Sequence, residues 1–344
     1  MSFEEAKKLD DHFVMHTFNR KPVMLVEGSG MEVKDDEGKT YLDFIAGIGA
    51  DSLGHCHPAV SEAIAAQAKR LIHVSNYYHI ENRGEVAKII SDLLNTCVPK
   101  FFRAPWPVFF ANSGAEANEC AIKLARLYSK KEGTGGQTII TMNNSFHGRT
   151  LSTLAATAQP AKQELFEPLP GGFVHVPMND MNAVHRAFFE NPGEVCAIMI
   201  ECVQGESGIH PWDPDVLYEV AQFARKMACS SLLMRFNQAF IVAGNSPSLS
   251  RTWELLLTLL LWQRVLLQAS RWVLVLHVLK LPRLSSQVIM VQPLVAAILQ
   301  WRLLTQRLQR FLVATLMKMF RSWAIILQKA WIRSMPSLKF AAWA

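Results

Sequence analysis

For residues 1–226 of the 344-residue chain, the sequence predicts an α/β fold built on a mostly parallel sheet flanked by helices. Three observations predict it. Short β-type runs alternate with helical patterns, the rhythm of strand–helix–strand units. The run Ala197–Ile200 is apolar without alternation, as expected of a strand covered on both faces. Turns of small and polar residues follow directly on strand candidates, where open α/β sheets place ligands.

The elements follow in order. Glu32–Asp36 and Thr40–Phe44 read as two strands around a Glu37-Gly38 turn. His57–Leu71 has helical spacing and starts with a proline, which suits a first turn. Val108–Ala111 is a strand candidate, followed by a small-residue turn and a long helix. On that helix Ala117, Cys120, Ala121, Leu124, Ala125 and Tyr128 share a face. Thr138–Met142 and Ala197–Ile200 complete the strand candidates.

Past residue 226 the texture changes. The last 118 residues hold one glycine, Gly244, no Asp or Tyr, and seven of the nine tryptophans. Ordinary domains are not composed this way. Charge divides at the same place. Residues 1–226 carry a net −7 and residues 227–344 a net +13, together the chain's +6. The pI near 9.0 is thus no property of the α/β part and points to no nucleic-acid partner. A spanning helix needs about 20 mostly apolar residues. Arg264, Arg271, Lys280 and Arg283 interrupt the Leu-rich stretch, so no membrane span is expected. Six scattered cysteines, without C-x-x-C or metal-ligand spacing, fit a reducing, cytoplasmic compartment. The charged start MSFEEAKKLDDHF has no apolar core of a secretory signal.

Three turns carry candidate chemistry. In Asn112-Ser113-Gly114-Ala115-Glu116-Ala117-Asn118, a strand ends and a helix begins, so first-turn amides and the Ser113 hydroxyl make an anion site. The plainer reading is a helix cap alone. In Ser145-Phe146-His147-Gly148-Arg149-Thr150, Phe146 can stack on a flat ring and Arg149 can hold a carboxylate bidentately. The plainer reading is a surface loop with a core Phe and a solvated Arg. Glu201 ends the apolar strand, where a carboxylate is not ordinary decoration. Glu206 follows in a Gly-flanked loop, as a site acid or a solvated charge.

These blocks, in this order, resemble class III (subgroup II) pyridoxal-phosphate aminotransferases, and most of all the acetylornithine/ornithine type. YLDFIAGIGADSLGHCHPAV at 41–60, NSGAEANECAIKLAR at 112–126, NSFHGRTLSTLAATAQ at 144–159 and IECVQGESGIHP at 200–211 carry the resemblance. It implies the pyridoxal-phosphate transferase type I fold, with a large cofactor domain and a small domain. Residues 1–50 would begin the small domain and 51–226 would form part of the large one. The cofactor is pyridoxal 5′-phosphate. Ser113, Gly114 and Ala115 would bind its phosphate, Phe146 would stack on its ring, and His147 belongs to the same cofactor-binding motif. Glu201 would support the aspartate that pairs with the ring nitrogen. Arg149 would bind the substrate α-carboxylate, and Glu206 would act as a gating acid. Cys202 stands where the family usually has proline. Amino-acid and 2-oxo-acid substrates and a homodimer are implied; no metal is.

Transamination also needs a lysine to hold the cofactor covalently and shuttle a proton, and an acid beside the ring nitrogen. In the family both lie downstream of the Glu201 motif, as Asp-Glu-x-Gln and then Lys-Gly. Here no Asp follows Asp215, and Lys280, Lys318, Lys329 and Lys339 have no following glycine. No catalytic lysine stands in frame, and residues 227–344 are not expected to complete the fold.

A shifted reading frame accounts for this. Each codon's last base, joined to the first two of the next, lets Leu233–Ala239 spell Asp-Glu-Ile-Gln-Ser-Gly. Trp262–Val265 then spells Ala-Lys-Gly, the lysine codon straddling Gln263 and Arg264, and Val288–Leu299 spells His-His-Gly-Ser-Thr-Phe-Gly-Gly-Ser-Asn-Pro. Trp and Met have single codons, so Trp262-Gln263 forces Ala, and Trp272-Val273 and Met290-Val291 each force Gly. All three fall where the family motifs want them. The expected activity is amino transfer from N2-acetylornithine or ornithine to 2-oxoglutarate in arginine biosynthesis, with the chain as written inactive. The rivals are a 4-aminobutyrate or other ω-amino donor, and a non-catalytic chain whose basic tail binds membranes or a partner.

Overall fold

The computed structural model describes residues 1–51, 53–96, 103, 105–131, 135–201, 203–227, 230–235, 259–263 and 273–277. The chain opens with helix α1 (Phe3–Phe13), capped by Ser2, whose hydroxyl accepts the Glu5 N–H while the Glu5 carboxylate accepts the Ser2 N–H. Strands β1 (Leu25–Ser29), β2 (Glu32–Asp35) and β3 (Thr40–Leu42) form a separate antiparallel sheet. Its second turn is held by Asp35, whose carboxylate accepts from the Glu37 and Lys39 amides and the Tyr41 hydroxyl. The two strands predicted around Glu37-Gly38 are β2 and β3, each ending slightly earlier than the apolar pattern suggests.

The short kinked helix α2 (Ala46–Gly49) follows. The His55 imidazole then lies between two carboxylates, 2.8 Å from Asp43 and 3.0 Å from Asp51, and its backbone pairs with Gly30. The signature stretch thereby joins the small sheet to helix α3 (Pro58–Ala68), which starts on the predicted proline. Helix α4 (Arg83–Thr96) leads toward the large sheet.

Among the described residues that sheet has seven strands: β4 (Val108–Ala111), β5 (Thr138–Met142), β6 (Phe173–Val176), β7 (Val195–Glu201), β10 (Ser230–Arg235), β11 (Leu259–Gln263) and β12 (Val273–His277). Its order is β4-β12-β11-β10-β7-β5-β6. Only β12 runs against its neighbours, so β4 keeps the common direction. A two-strand ribbon, β8 (Val203–Gln204) and β9 (His210–Pro211), lies outside it.

Alternation along the central strands builds a layer on each face. Ile140, Met142, Ile198 and Ile200 share one core cluster with helices α8 (Met181–Glu190) and α9 (Pro214–Lys226). Ile139, Ala197 and Met199 share the other with helix α5 (Gly114–Lys131). All seven residues of β7 are buried, which is why its sequence shows no polar alternation. Ala117, Cys120, Ala121 and Ala125 line the buried face of α5, and such small side chains let helix and sheet approach closely. The short helices α6 (Leu151–Ala156) and α7 (Pro160–Gln163) complete the layer near the β5 turn.

Beyond residue 227 the described residues are the three strands β10, β11 and β12 alone. Leu- and Val-rich runs such as LLLWQ and VLVLH suit buried strands, and backbone pairing asks nothing further of sequence. The rest of 227–344, including Arg264, Lys280 and Val288–Leu299, lies outside the described residues, as does Cys202. Among the described residues no helix is long and apolar enough to cross a membrane, and no cluster of metal-ligating side chains occurs.

Candidate active site

Because β4, β5 and β7 run the same way, the turns that follow them share one edge of the sheet. The first turn begins α5. The Ser113 hydroxyl accepts the Glu116 N–H at 3.2 Å, and the Glu116 carboxylate accepts the Asn112 N–H at 2.6 Å. The helix cap anticipated as the plainer reading is therefore built. It leaves the Gly114 and Ala115 amides, which belong to the first turn and have no partner within the helix. The cap therefore does not exclude an anion site at this turn, where the helix dipole favours a negative group.

The second turn is clamped onto that helix. The Asn118 amide, 1 % exposed, donates to the His147 carbonyl. The Glu119 carboxylate accepts from the Thr150 hydroxyl and the Thr153 N–H. The His147 N–H donates to the Thr157 hydroxyl at 2.8 Å. Gly148 sits where the two meet, with φ +141; a Cβ there would lie 2.5 Å from Thr153 Oγ1 and 2.9 Å from Ala115 Cβ. Phe146 is half-buried, whereas the His147 ring is buried. Burial pushes the His147 imidazole down to about 3, aided by the nearby His175, so it is neutral. Arg149 is exposed and its guanidinium lies 5.8 Å from the Phe18 ring centroid.

The third group is Glu201, the last residue of β7 and 2 % exposed. Its Oε2 accepts the Phe146 N–H at 3.0 Å, and its carbonyl accepts the Trp212 indole N–H at 2.8 Å. The acid and the aromatic turn, 55 residues apart, are thus directly joined. Burial pushes the Glu201 carboxyl up to about 7, the Phe146 N–H opposes that, and the Glu206 charge adds to it. Glu206 is partly sheltered. Desolvation raises its carboxyl, but hydrogen bonds from Lys162 and Gln159 outweigh this and hold it below the ordinary range.

The raised Glu201 carboxyl has a consequence for stability. The unfolded chain ionises near the ordinary 4.5 and the folded chain near 7. Between these values the unfolded state binds fewer protons, so stability falls as pH rises through that window and stays reduced above it. Glu201→Gln removes the dependence. Its stability relative to the parent should rise by up to about 3 kcal/mol from pH 4 to pH 8, measured by urea unfolding. A difference flat with pH would show that Glu201 is not buried as described.

The structure thus brings together Ser113, Gly114, Ala115, Phe146, His147 and Glu201, and sets Arg149 and Glu206 beside them. Sequence reading included Asn118 and Gln204 in its motifs without giving them a role, and it missed the clamp residues Glu119, Thr153 and Thr157; the Gln204 amide donates to the Asn143 carbonyl at 2.9 Å. It also missed Lys162 and Gln159. Asn118 was detectable in principle, as a polar residue on an otherwise small and apolar helix face.

The family described as Aminotransferase class-III matches residues 15–232. The acetylornithine aminotransferase of Caldanaerobacter subterraneus subsp. tengcongensis is 52 % identical over 209 residues, covering 60 % of this chain and 50 % of that one. The acetylornithine aminotransferase of Methanocaldococcus jannaschii is 51 % identical over 221 residues, covering 64 % and 52 %. The chain thus spans about half the length of these curated relatives. Among solved structures, the ornithine aminotransferase from Toxoplasma gondii superposes with a TM-score of 0.71 at 24 % identity, covering 80 % of this chain and 64 % of that one. The acetylornithine aminotransferase from Elizabethkingia anophelis gives 0.63 at 25 %, covering 80 % and 64 %. The fold is the type I fold of pyridoxal-phosphate-dependent aminotransferases. With the match covering most of its first 232 residues, the chain belongs to the class III aminotransferase family.

Proposed function

We propose that residues 1–226 are the cofactor- and substrate-binding part of an aminotransferase that moves an amino group from N2-acetylornithine or ornithine to 2-oxoglutarate. The observation that carries this is the contact of the Glu201 carboxylate with the Phe146 N–H beside the α5 N-terminus. It gathers an acid, an aromatic face and an anion site at one sheet edge. The names of the relatives matched in sequence support the donor.

Pyridoxal phosphate fits these residues. The Gly148 joint admits no side chain, so the turn's backbone lies close to the start of α5, and the Gly114 and Ala115 amides are left for phosphate oxygens. Ser113 would add its hydroxyl hydrogen, Phe146 would cover the ring, and the neutral His147 would hold the turn that carries them. When bound, the cofactor supplies an electron sink. Arg149 would orient the substrate by its α-carboxylate, and Glu206 would screen that region. In the assembled enzyme, the β1–β3 sheet falls to the small domain, and a second copy would cover Phe44, Ile45 and Ile48, which are 78 %, 70 % and 61 % exposed. Arginine biosynthesis in the cytoplasm is the setting this activity implies.

The missing lysine and aspartate belong, in this reading, to the shifted frame beyond Lys226. Strand register supports it. Met234 of β10 stands opposite Glu201 of β7, and the shifted aspartate codon spans Leu233 and Met234. Glu201 would then support that aspartate. β11 ends at Gln263, one of the two residues whose codons the lysine codon straddles, on the same edge of the sheet.

Cofactor trapping tests the binding half separately from catalysis. The purified 344-residue chain should take up pyridoxal phosphate, read by its fluorescence, yet borohydride reduction should leave no pyridoxyl-lysine in residues 227–344. A labelled tail lysine with turnover would overturn the frame assignment. Failure to take up cofactor would overturn the assignment of the binding residues.

A further inference from the structure

Lysine amines condense with aldehydes, and this chain carries a lysine against the aromatic turn. The Lys162 ammonium lies 5.2 Å from the Phe146 ring centroid, a cation–π contact. Its side chain is 24 % exposed, so solvent reaches the space beside that ring. Phe146 itself is half-buried. The face on which a partly exposed ammonium rests is the face open to an incoming flat group.

The base of Lys162 is held in place. It stands on α7, which the Gln163 side chain ties to the end of α6 through the carbonyls of Leu154, Ala155 and Thr157. Just before α7, the Gln159 amide donates to the Ser145 carbonyl at 3.0 Å, one residue ahead of Phe146. The amine and the aromatic are thus fixed to the same turn, and only the lysine's own stem is left to move. Its ion pair with Glu206 is the contact that must open. A pair this exposed is weak in water, and Glu206 still accepts the Gln159 amide at 2.9 Å once the lysine has left.

We propose that Lys162 is the residue of this chain that captures the aldehyde of pyridoxal phosphate covalently. The inference rests on the reading that the α5 turn holds the phosphate and Phe146 covers the ring. The ammonium gives its proton to water or buffer. The free Nζ then adds to the aldehyde carbon, and the carbonyl oxygen leaves as water. A C=N bond replaces the C=O bond, with no change of oxidation state. An anchored phosphate makes this step effectively intramolecular, so the aldehyde is far more concentrated at Lys162 than at a surface lysine. Capture alone does not make the chain a catalyst, because the acid for the ring nitrogen is still missing.

The test treats the full chain with equimolar pyridoxal phosphate, reduces it with borohydride, and locates pyridoxyl-lysines by peptide mass spectrometry. Label at Lys162 should exceed that at Lys123, an exposed lysine of α5, by at least about tenfold. Pyridoxal, which lacks the phosphate, should lose that preference. Lys162→Arg keeps the positive charge over Phe146 but offers no amine. It should abolish the label at this position while retaining noncovalent uptake of pyridoxal phosphate, read by fluorescence before reduction. Lys162→Met should likewise remove the label. Uptake with label spread evenly over surface lysines would overturn the proposal and leave the cofactor reading standing. So would a Lys162 label that pyridoxal matches, or a Lys162→Arg chain that carries as much total label as the parent. A chain that takes up no cofactor at all would overturn both.

Discussion

Restoring the reading frame after the Lys226 codon should convert a chain with no detectable amino transfer into an active aminotransferase. The expected difference is at least about 10⁶-fold in rate, the low end of enzymatic acceleration. The assay is glutamate formation from N2-acetylornithine and 2-oxoglutarate with added pyridoxal phosphate. The reason, under the proposed frame assignment, is that the base is not encoded in the frame read here. The described tail strands end at Arg235, Gln263 and His277, and none brings a lysine or aspartate to the edge where Glu201, Phe146 and the α5 turn meet. Positioning and electrostatics can be complete at that edge, and proton transfer would still need a side chain that the described tail strands do not bring there. Turnover by the 344-residue chain itself would show that some other residue supplies the base.

The second large effect should come from Gly148→Ala. The added methyl would meet Thr153 Oγ1 at 2.5 Å and Ala115 Cβ at 2.9 Å, in a backbone conformation that side chains rarely adopt. Strain at such a position costs on the order of 1–3 kcal/mol, and the overlap adds to it. Relief requires the turn to move away from α5, which breaks the Asn118–His147 and Glu119–Thr150 contacts. Both stability and cofactor uptake should fall. Urea unfolding should show a loss of about 3 kcal/mol, and pyridoxal-phosphate affinity should drop by at least about tenfold, a 1.4 kcal/mol change. Thr150→Ser, which keeps the hydroxyl at the neighbouring position, should change neither. A stable Gly148→Ala chain with normal uptake would mean the joint is looser than described.

The strands and helices that carry these sites were legible because burial leaves a periodic trace. Ala197–Ile200 lacks polar alternation because β7 is covered on both faces. The α5 helix shows its sheet-facing stripe because small residues must recur where it lies on the sheet. Ser113 was legible as a cap, which the structure shows, and the cap leaves the anion-binding reading open to test. The clamps between turns were not legible. Asn118 and His147 are 29 residues apart, and Gln159 and Glu206 are 47 apart. Nothing local marks such pairs, since any polar side chain on a loop reads as solvated until the fold brings it to its partner. Lys162 was hidden for the same reason, as one charge on a short helix. The tail misleads in another way. Its Leu- and Val-rich runs satisfy the physics of buried strands whatever frame they come from, so their forming strands does not by itself reveal which frame is read.

The most direct test of the account is the nucleotide sequence between the codons for Lys226 and Leu299. The account predicts that one shifted frame spells Asp-Glu-Ile-Gln across Leu233–Asn237, Ala-Lys-Gly across Trp262–Val265, and Ser-Thr-Phe-Gly-Gly across Val291–Ala296. Codons at Leu233, Gln263 or Arg264 that cannot yield the aspartate and the lysine in that frame would contradict it.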